Sequence, residues 1–228
     1  MVRAAAALLL ALAGPAEAQE CRLALVLALD VSSSVDAAED VLQRDGLAAA
    51  LTAPEVRAAF LAADLPVALA IFEWSGRYNQ QLLLDWTLID DDARLFAAAD
   101  RLARSSRHAD DSPTALGHAL GYGAGLLARA PDCLFETIDV AGDGVNNEGF
   151  PPAAAYRHFP LADVTVNGLA IGDAEAGGLP GYYRAELIGG PRAFVEVAAD
   201  FADYERAMRR KLLREVAATP VGKRREAP

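Results

Sequence analysis

The segment LALVLALDVSSSVD, Leu23 to Asp36, decides how the rest of the chain is read. Apolar residues run unbroken from Leu23 to Leu29, and the run then gives way to Asp30, Val31, three serines and, after Val35, a second acid. A short continuous apolar run bounded by polar residues predicts a central parallel strand covered on both faces. A strand of that kind ends where open α/β sheets hold their ligands, just beyond the carboxyl ends of the strands. A carboxylate and hydroxyls at that end therefore raise the question of what they hold.

The same pattern recurs along the chain. Pro66–Trp74 and Gln81–Ile89 read as two strands joined by the turn-prone SGRYN link, which predicts a hairpin. Cys133–Val140, Ala162–Ile171 and Ala193–Val197 read as three more strands. Helical patterns fill the intervals. Asp36–Thr52 is alanine-rich. Asp90–Arg104 opens on three aspartates and closes on arginines, as the helix dipole favours, with Phe96, Ala99, Leu102 and Ala103 expected on its inner face. Ser112–Leu127 is expected to start with Ser112 as N-cap and Pro113 at the first helical position. Its glycines at 117, 121 and 125 suggest close packing against the sheet, and Phe201–Val216 is a last amphipathic helix. Strands alternating with helices predict one α/β domain: a doubly wound, mostly parallel six-stranded sheet, helices on both faces and one antiparallel edge strand.

Composition narrows the function classes. A formal charge of −11 argues against a surface that tracks nucleic-acid phosphates. Arg3, the apolar run Ala4–Ala13, the Gly14-Pro15 break and Ala16-Glu17-Ala18 read as a secretory signal cleaved after Ala18, with an uncleaved membrane anchor as the alternative. The expected organisation is a signal peptide at 1–18, one domain at 19–216 and a disordered tail at 217–228. On that reading the mature protein is exported, periplasmic or secreted, with no transmembrane segment. The two cysteines, Cys21 and Cys133, are too few for a zinc site of the usual kind, and an oxidising compartment favours a disulfide.

Two more oxygen donors are expected at the carboxyl end of the sheet: Asp143, after the fourth strand in VAGDGVNN, and Thr114, at the start of the glycine-striped helix. With Asp30, Ser32 and Ser34 they make two carboxylates and three hydroxyls. An all-oxygen set of low formal charge suits a hard divalent cation, Mg2+ first, with Ca2+ or Mn2+ as alternatives. Each part has a plainer explanation. Ser and Asp after a strand commonly cap the next helix, Asp-Gly is a common turn, and a Thr in a first turn often bonds locally.

Taken together, Asp30-Val31-Ser32-Ser33-Ser34, Thr114 and Asp143-Gly144 resemble the metal-ion-dependent adhesion site of von Willebrand factor type A (vWA) domains. FEWSG (72–76), GDGVNN (142–147) and YYRAELIGGP (182–191) are similar to an exported bacterial branch of that superfamily without assigned function. The resemblance implies a Rossmann-like vWA fold, direct metal contacts from Ser32 and Ser34, and contacts from Asp30, Thr114 and Asp143 made directly or through water. It also implies a coordination position left for an acidic group on a partner protein. Gly144, Asn146, Tyr182 and Tyr183 are candidates for the partner-binding rim, although the tyrosines would equally serve to pack their loop down. In the family's sheet the first and fourth strands are parallel neighbours, which implies a Cys21–Cys133 disulfide at the edge opposite the metal; two unpaired core cysteines are the alternative.

The leading expectation is thus a metal-dependent protein-binding module and not an enzyme, since no catalytic dyad or triad is recognised. A metal-dependent phosphoester hydrolase is the competing class, with Arg77 and Arg184 as the cationic groups to hand. A scaffold with a merely stabilising metal is a third. Glu73 and Asp139 interrupt apolar strands and are either buried with partners or turned to an edge.

Overall fold

The computed structural model describes residues 20–108, 112–172 and 177–217. The expected signal segment and cleavage site, and the tail apart from Ala217, lie outside the described residues. Six strands form one sheet: β1 (Cys21–Asp30), β2 (Val67–Trp74), β3 (Gln80–Ile89), β4 (Cys133–Gly142), β5 (Thr165–Ile171) and β6 (Val195–Ala198). Their spatial order is β3-β2-β1-β4-β5-β6. Every pairing is parallel except the β2–β3 hairpin at one edge. This is the α/β arrangement the sequence predicts.

β1 is buried along all ten residues. Its alternate side chains serve two cores, as the two-residue period of a strand requires. Leu23, Leu25, Leu27 and Leu29 pack with α1 (Ala37–Thr52), α2 (Pro54–Phe60), α3 (Asp92–Ala103) and α7 (Tyr204–Ala217). Ala24, Val26 and Ala28 pack with α4 (Leu116–Leu127), α5 (Pro152–His158) and the segment in which α6 (Leu179–Tyr182) runs into a π-helical turn, Tyr183–Leu187. Arg22 ties two helix ends to the foot of β1: its guanidinium donates to the carbonyls of Ala59, Phe60 and Val216. Carbonyls at helix ends lack intrahelical partners, and a cation there also answers the dipole.

Several local expectations give way to packing. Ser112 and Pro113 do not start a helix. The Ser112 carbonyl accepts the Ser33 amide and Ala115 N–H bonds the Ser75 carbonyl, so the segment is held across the top of the sheet and α4 begins only at Leu116. The glycine stripe faces other partners than the sheet. A Cβ on Gly117 would lie 2.0 Å from the Phe150 carbonyl oxygen, one on Gly121 would meet the Phe159 ring, and one on Gly125 would meet nothing within 4 Å. Gly123 is the one against the sheet, at Ile138. In α3 the inner face is Leu95, Ala98, Ala99 and Leu102. Phe96 stays 46% exposed beneath the Arg57 guanidinium, and Ala103 is exposed as well. α2, α5 and the turn at 179–187 have no counterpart in the sequence reading.

Both interrupting carboxylates are buried and paired. Glu73 accepts from Arg44, which also bonds Asp40, and from the His108 backbone N–H. Lys211 of α7, 0% exposed, lies 2.7 Å from Asp139 and donates to Glu215 at 2.6 Å. Burial first, then the Glu215 charge, pushes the Asp139 carboxyl well above the usual range.

Cys21 and Cys133 face each other in the β1–β4 register, Cα atoms 4.5 Å apart, and form a disulfide. It closes a separation of 112 residues. On the chain-entropy account, Cys21→Ser with Cys133→Ser lowers the unfolding free energy by roughly 4 to 5 kcal/mol; a urea midpoint that does not move would refute this. Lys211→Met leaves Asp139 and Glu215 buried without a counter-charge and costs about 3–5 kcal/mol, read in the same titration.

Candidate metal centre

β1 ends on Asp30, fully buried between the ends of β2 and β4. The chain then turns back on itself. Asp30 Oδ1 accepts the Ser32 backbone N–H at 2.8 Å, and Val35 N–H bonds the Ser32 carbonyl at 3.0 Å. Asp36, the second acid of the stretch, is occupied elsewhere. It caps α1, accepting the N–H groups of Ala38 and Glu39, while Glu39 reaches back to the Asp36 N–H as a capping box. That separates the two acids: one closes a helix, and the other points into the site.

The three segments meet. Ser32 Oγ and Ser34 Oγ are 3.1 Å apart, and Ser34 Oγ donates to Asp143 Oδ1 at 2.6 Å across 109 residues of sequence. Thr114 is 3% exposed, and its hydroxyl lies against the Asp143-Gly144 turn: a Cβ added to Gly144 would be 3.3 Å from Thr114 Oγ1. Asn147 fixes Thr114 from the β4 side, its Oδ1 accepting the Thr114 N–H while its own N–H bonds the Thr114 carbonyl. Asp30 and Ser32 are buried, Asp143 is half-buried and Ser34 is exposed, so the set grades from the sheet outward to solvent.

The floor of the set is short of a positive group. Asp30 Oδ2 is buried without a hydrogen-bond partner. Burial pushes the Asp30 carboxyl up to about 7, against the Ser32 hydrogen bonds that pull it down, and the Asp143 charge raises it further. Gly142 leaves the space. A Cβ there would lie 2.7 Å from both Asp30 Oδ2 and Tyr183 Oη. A buried acceptor with no donor, beside a position only glycine can hold, fits a cation better than it fits a plain turn. The donors are the hard oxygens such a cation takes. Among the described residues no group of three or more His, Cys, Asp or Glu is placed to hold a metal, so any ion here would rest on two carboxylates and hydroxyls.

The rim expectations divide. Gly144, Asn146 and Tyr182 are half-buried beside the site; Tyr182 Oη accepts the Asn146 N–H, and Asn146 Oδ1 accepts the Gly117 N–H. Tyr183 is a correction: it is 0% exposed, because the π-helical turn carries it under Gly142 and Gly168 and into the second core. It cannot touch a partner.

The sequence reading missed Arg107. Its guanidinium donates to the carbonyls of Val35 (2.6 Å), Val31 (2.7 Å) and Ser32 (3.0 Å), clamping the serine loop from behind. The neighbouring residues are anchored in turn, Ser105 Oγ by Arg44 and the His108 N–H by Glu73. Gln43 of α1 completes the support by donating to the Asp30 carbonyl at 2.9 Å. The one sequence signal was a cluster of polar residues, SSRH, between two helices.

Solved structures share this fold. Proximal thread matrix protein 1 from the mussel byssus, with a zinc-occupied MIDAS motif, is 13% identical with a TM-score of 0.63, over 89% of this chain and 50% of that one. A von Willebrand factor type A protein from Catenulispora acidiphila is 16% identical with a TM-score of 0.60, over 87% and 43%. The pilus adhesin SpaC from Lactobacillus rhamnosus GG is 14% identical with a TM-score of 0.60, over 86% and 31%. The chain thus spans half or less of the length of these structures, and no curated protein matches it. Residues 20–220 match the family model described as "Protein of unknown function (DUF1194)". By that match over most of its length the chain belongs to the DUF1194 family, and its fold is that of a vWA-like domain.

Proposed function

We propose that the chain is an exported protein-interaction module that holds a divalent cation on Asp30, Ser32, Ser34, Thr114 and Asp143. The cation would bridge to an acidic group on a partner protein. The observation that carries this reading is the convergence of three distant segments on a buried, unpartnered Asp30 oxygen, with Ser34 and Asp143 in direct contact. The zinc-occupied MIDAS motif of the byssus protein and the adhesin among the similar structures support it by likeness of fold. Mg2+ is the ion these hard donors favour, with Ca2+ or Mn2+ able to replace it. The disulfide supports an oxidising compartment, periplasmic or extracellular. Among the described residues no helix is long and apolar enough to cross a membrane.

The hydrolase reading finds less support. Phosphoester chemistry needs a cation free to meet the substrate. Arg77 is tied to Glu148 by its side chain and its backbone N–H. Arg184 is exposed on the π-helical turn.

Calorimetric titration of Mg2+ and Mn2+ into metal-stripped protein tests the proposal. One site is expected in the wild type and a loss of at least tenfold in affinity in Ser34→Ala and in Asp143→Asn, by analogy with single-ligand and supporting-shell losses. No heat with either ion in the wild type overturns it. Arg107→Gln keeps all five oxygens but releases three loop carbonyls. Affinity should fall about tenfold while far-ultraviolet dichroism stays that of the wild type; unchanged affinity would reduce Arg107 to a packing role.

A further inference from the structure

At the foot of the sheet, opposite the Asp30 end, β1, β4 and β5 begin beside the last turn of α7 and leave a cleft of about 370 Å³. Leu23 and Phe135, paired in register two residues beyond the disulfide, form an apolar wall, and Phe135 remains 37% exposed. Arg192 and Arg214, both exposed, line the same cleft.

Of the other exposed arginines, Arg94, Arg129 and Arg210 sit in ion pairs. Among the described residues no carboxylate pairs with Arg192 or Arg214, in a protein whose formal charge is −11. Arg214 is held in place instead. Its guanidinium carbon stands 3.7 Å from the centroid of the Phe194 ring. Stacking uses the face of the guanidinium and leaves its in-plane N–H groups for a forked contact with an anion. Arg192 sits in a built turn. Its φ of 60° is left-handed, a conformation uncommon for any residue but glycine. The turn is fixed by Gly190, where a Cβ would lie 2.1 Å from the Val164 carbonyl oxygen. Strained backbone that the surroundings enforce is found at ligand clamps.

Glu215 closes the cleft from the side of the Lys211 cluster: its Oε1 is taken by Lys211 and Asn167, and its carboxyl is hydrogen-bonded to that of Asp139.

We propose that this cleft binds a small organic acid. The carboxylate lies on Arg192 and Arg214 and the apolar body on Leu23 and Phe135. The site is independent of the candidate metal centre, which occupies the other end of the strands.

The test uses the full chain in the presence of a chelator, so that the cation reading plays no part. Binding of 3-phenyllactate, 3-phenylpropionate and the neutral 3-phenylpropanol is followed by protein NMR shifts, in the wild type and in Arg192→Gln with Arg214→Gln. Saturable binding of both acids is expected with shifts at Phe135 and Phe194, and none of the alcohol. The double variant, altered only at exposed positions, should lose about tenfold or more in affinity, as the removal of charge-assisted hydrogen bonds requires. No binding of either acid, binding of the alcohol as tight as that of the acids, or binding unchanged in the double variant overturns the proposal.

Discussion

β1 is covered by helices on both faces and by strands on both edges, and it ends in a carboxylate. That constraint organises the top of the molecule. Water cannot reach Asp30, so its charge has to be met by protein groups or by a ligand. The protein supplies only part: the Ser32 N–H serves Oδ1, while Oδ2 is buried without a hydrogen bond of good geometry. Everything around it keeps that arrangement from relaxing. Arg107 holds three carbonyls of the loop, Gln43 holds the Asp30 carbonyl, and Gly142 prevents a side chain from filling the space. A plain turn would gain by collapsing onto Asp30. This one is braced against collapse.

The two ends of the sheet are built for opposite purposes. At the foot, the disulfide joins β1 to β4, Arg22 closes two helix ends, and the Lys211 cluster fastens α7 to β4 and β5. These are covalent and buried ionic ties between elements far apart in sequence. At the top the ties reach as far along the chain but are hydrogen bonds to loop backbone and loop side chains. Stability concentrated below lets the upper loops carry unsatisfied groups without unfolding, since local strain must be carried by the surrounding structure. The cleft at the foot lies inside the fastened region. Two of its walls, Glu215 and Asn167, are themselves part of the Lys211 cluster, so its shape is set by the same contacts that hold α7.

The strands were legible because a buried parallel strand is a solid apolar run with polar ends, and all six predicted runs became strands with edges shifted by a few residues. The candidate oxygens were legible because each sits directly at such an edge. What was hidden lies in side chains whose partners are backbone or distant residues. Arg107 carries no periodic signal, since its acceptors are carbonyls 72 to 76 residues away. Tyr183 looked like a loop aromatic because a π-helical turn after GGLPG has no sequence period by which to recognise its buried face. The glycines of α4 were visible as a stripe, but their partners, Phe150 and Phe159, come from a segment whose helix was too short to detect. Ser112-Pro113 had the composition of a helix start, and the hydrogen bonds from Ser33 and Ala115 overruled it.

The charge balance at the two ends also bears on what each can bind. Asp30 and Asp143 face the same small space, Arg107 is spent on three carbonyls of the serine loop, and Arg77 is engaged by Glu148. An anionic ligand arriving there alone would meet two carboxylates. An acidic partner can approach only if a cation comes first, which makes metal dependence a consequence of the protein's own charges under the proposed reading. At the foot the order is reversed. Lys211 offsets Glu215, while Arg192 and Arg214 stand unmatched among the described residues, so an anion needs no intermediary. One end requires a bridging ion for acidic ligands and the other does not, and that difference follows from where a single sheet places its carboxylates and its arginines.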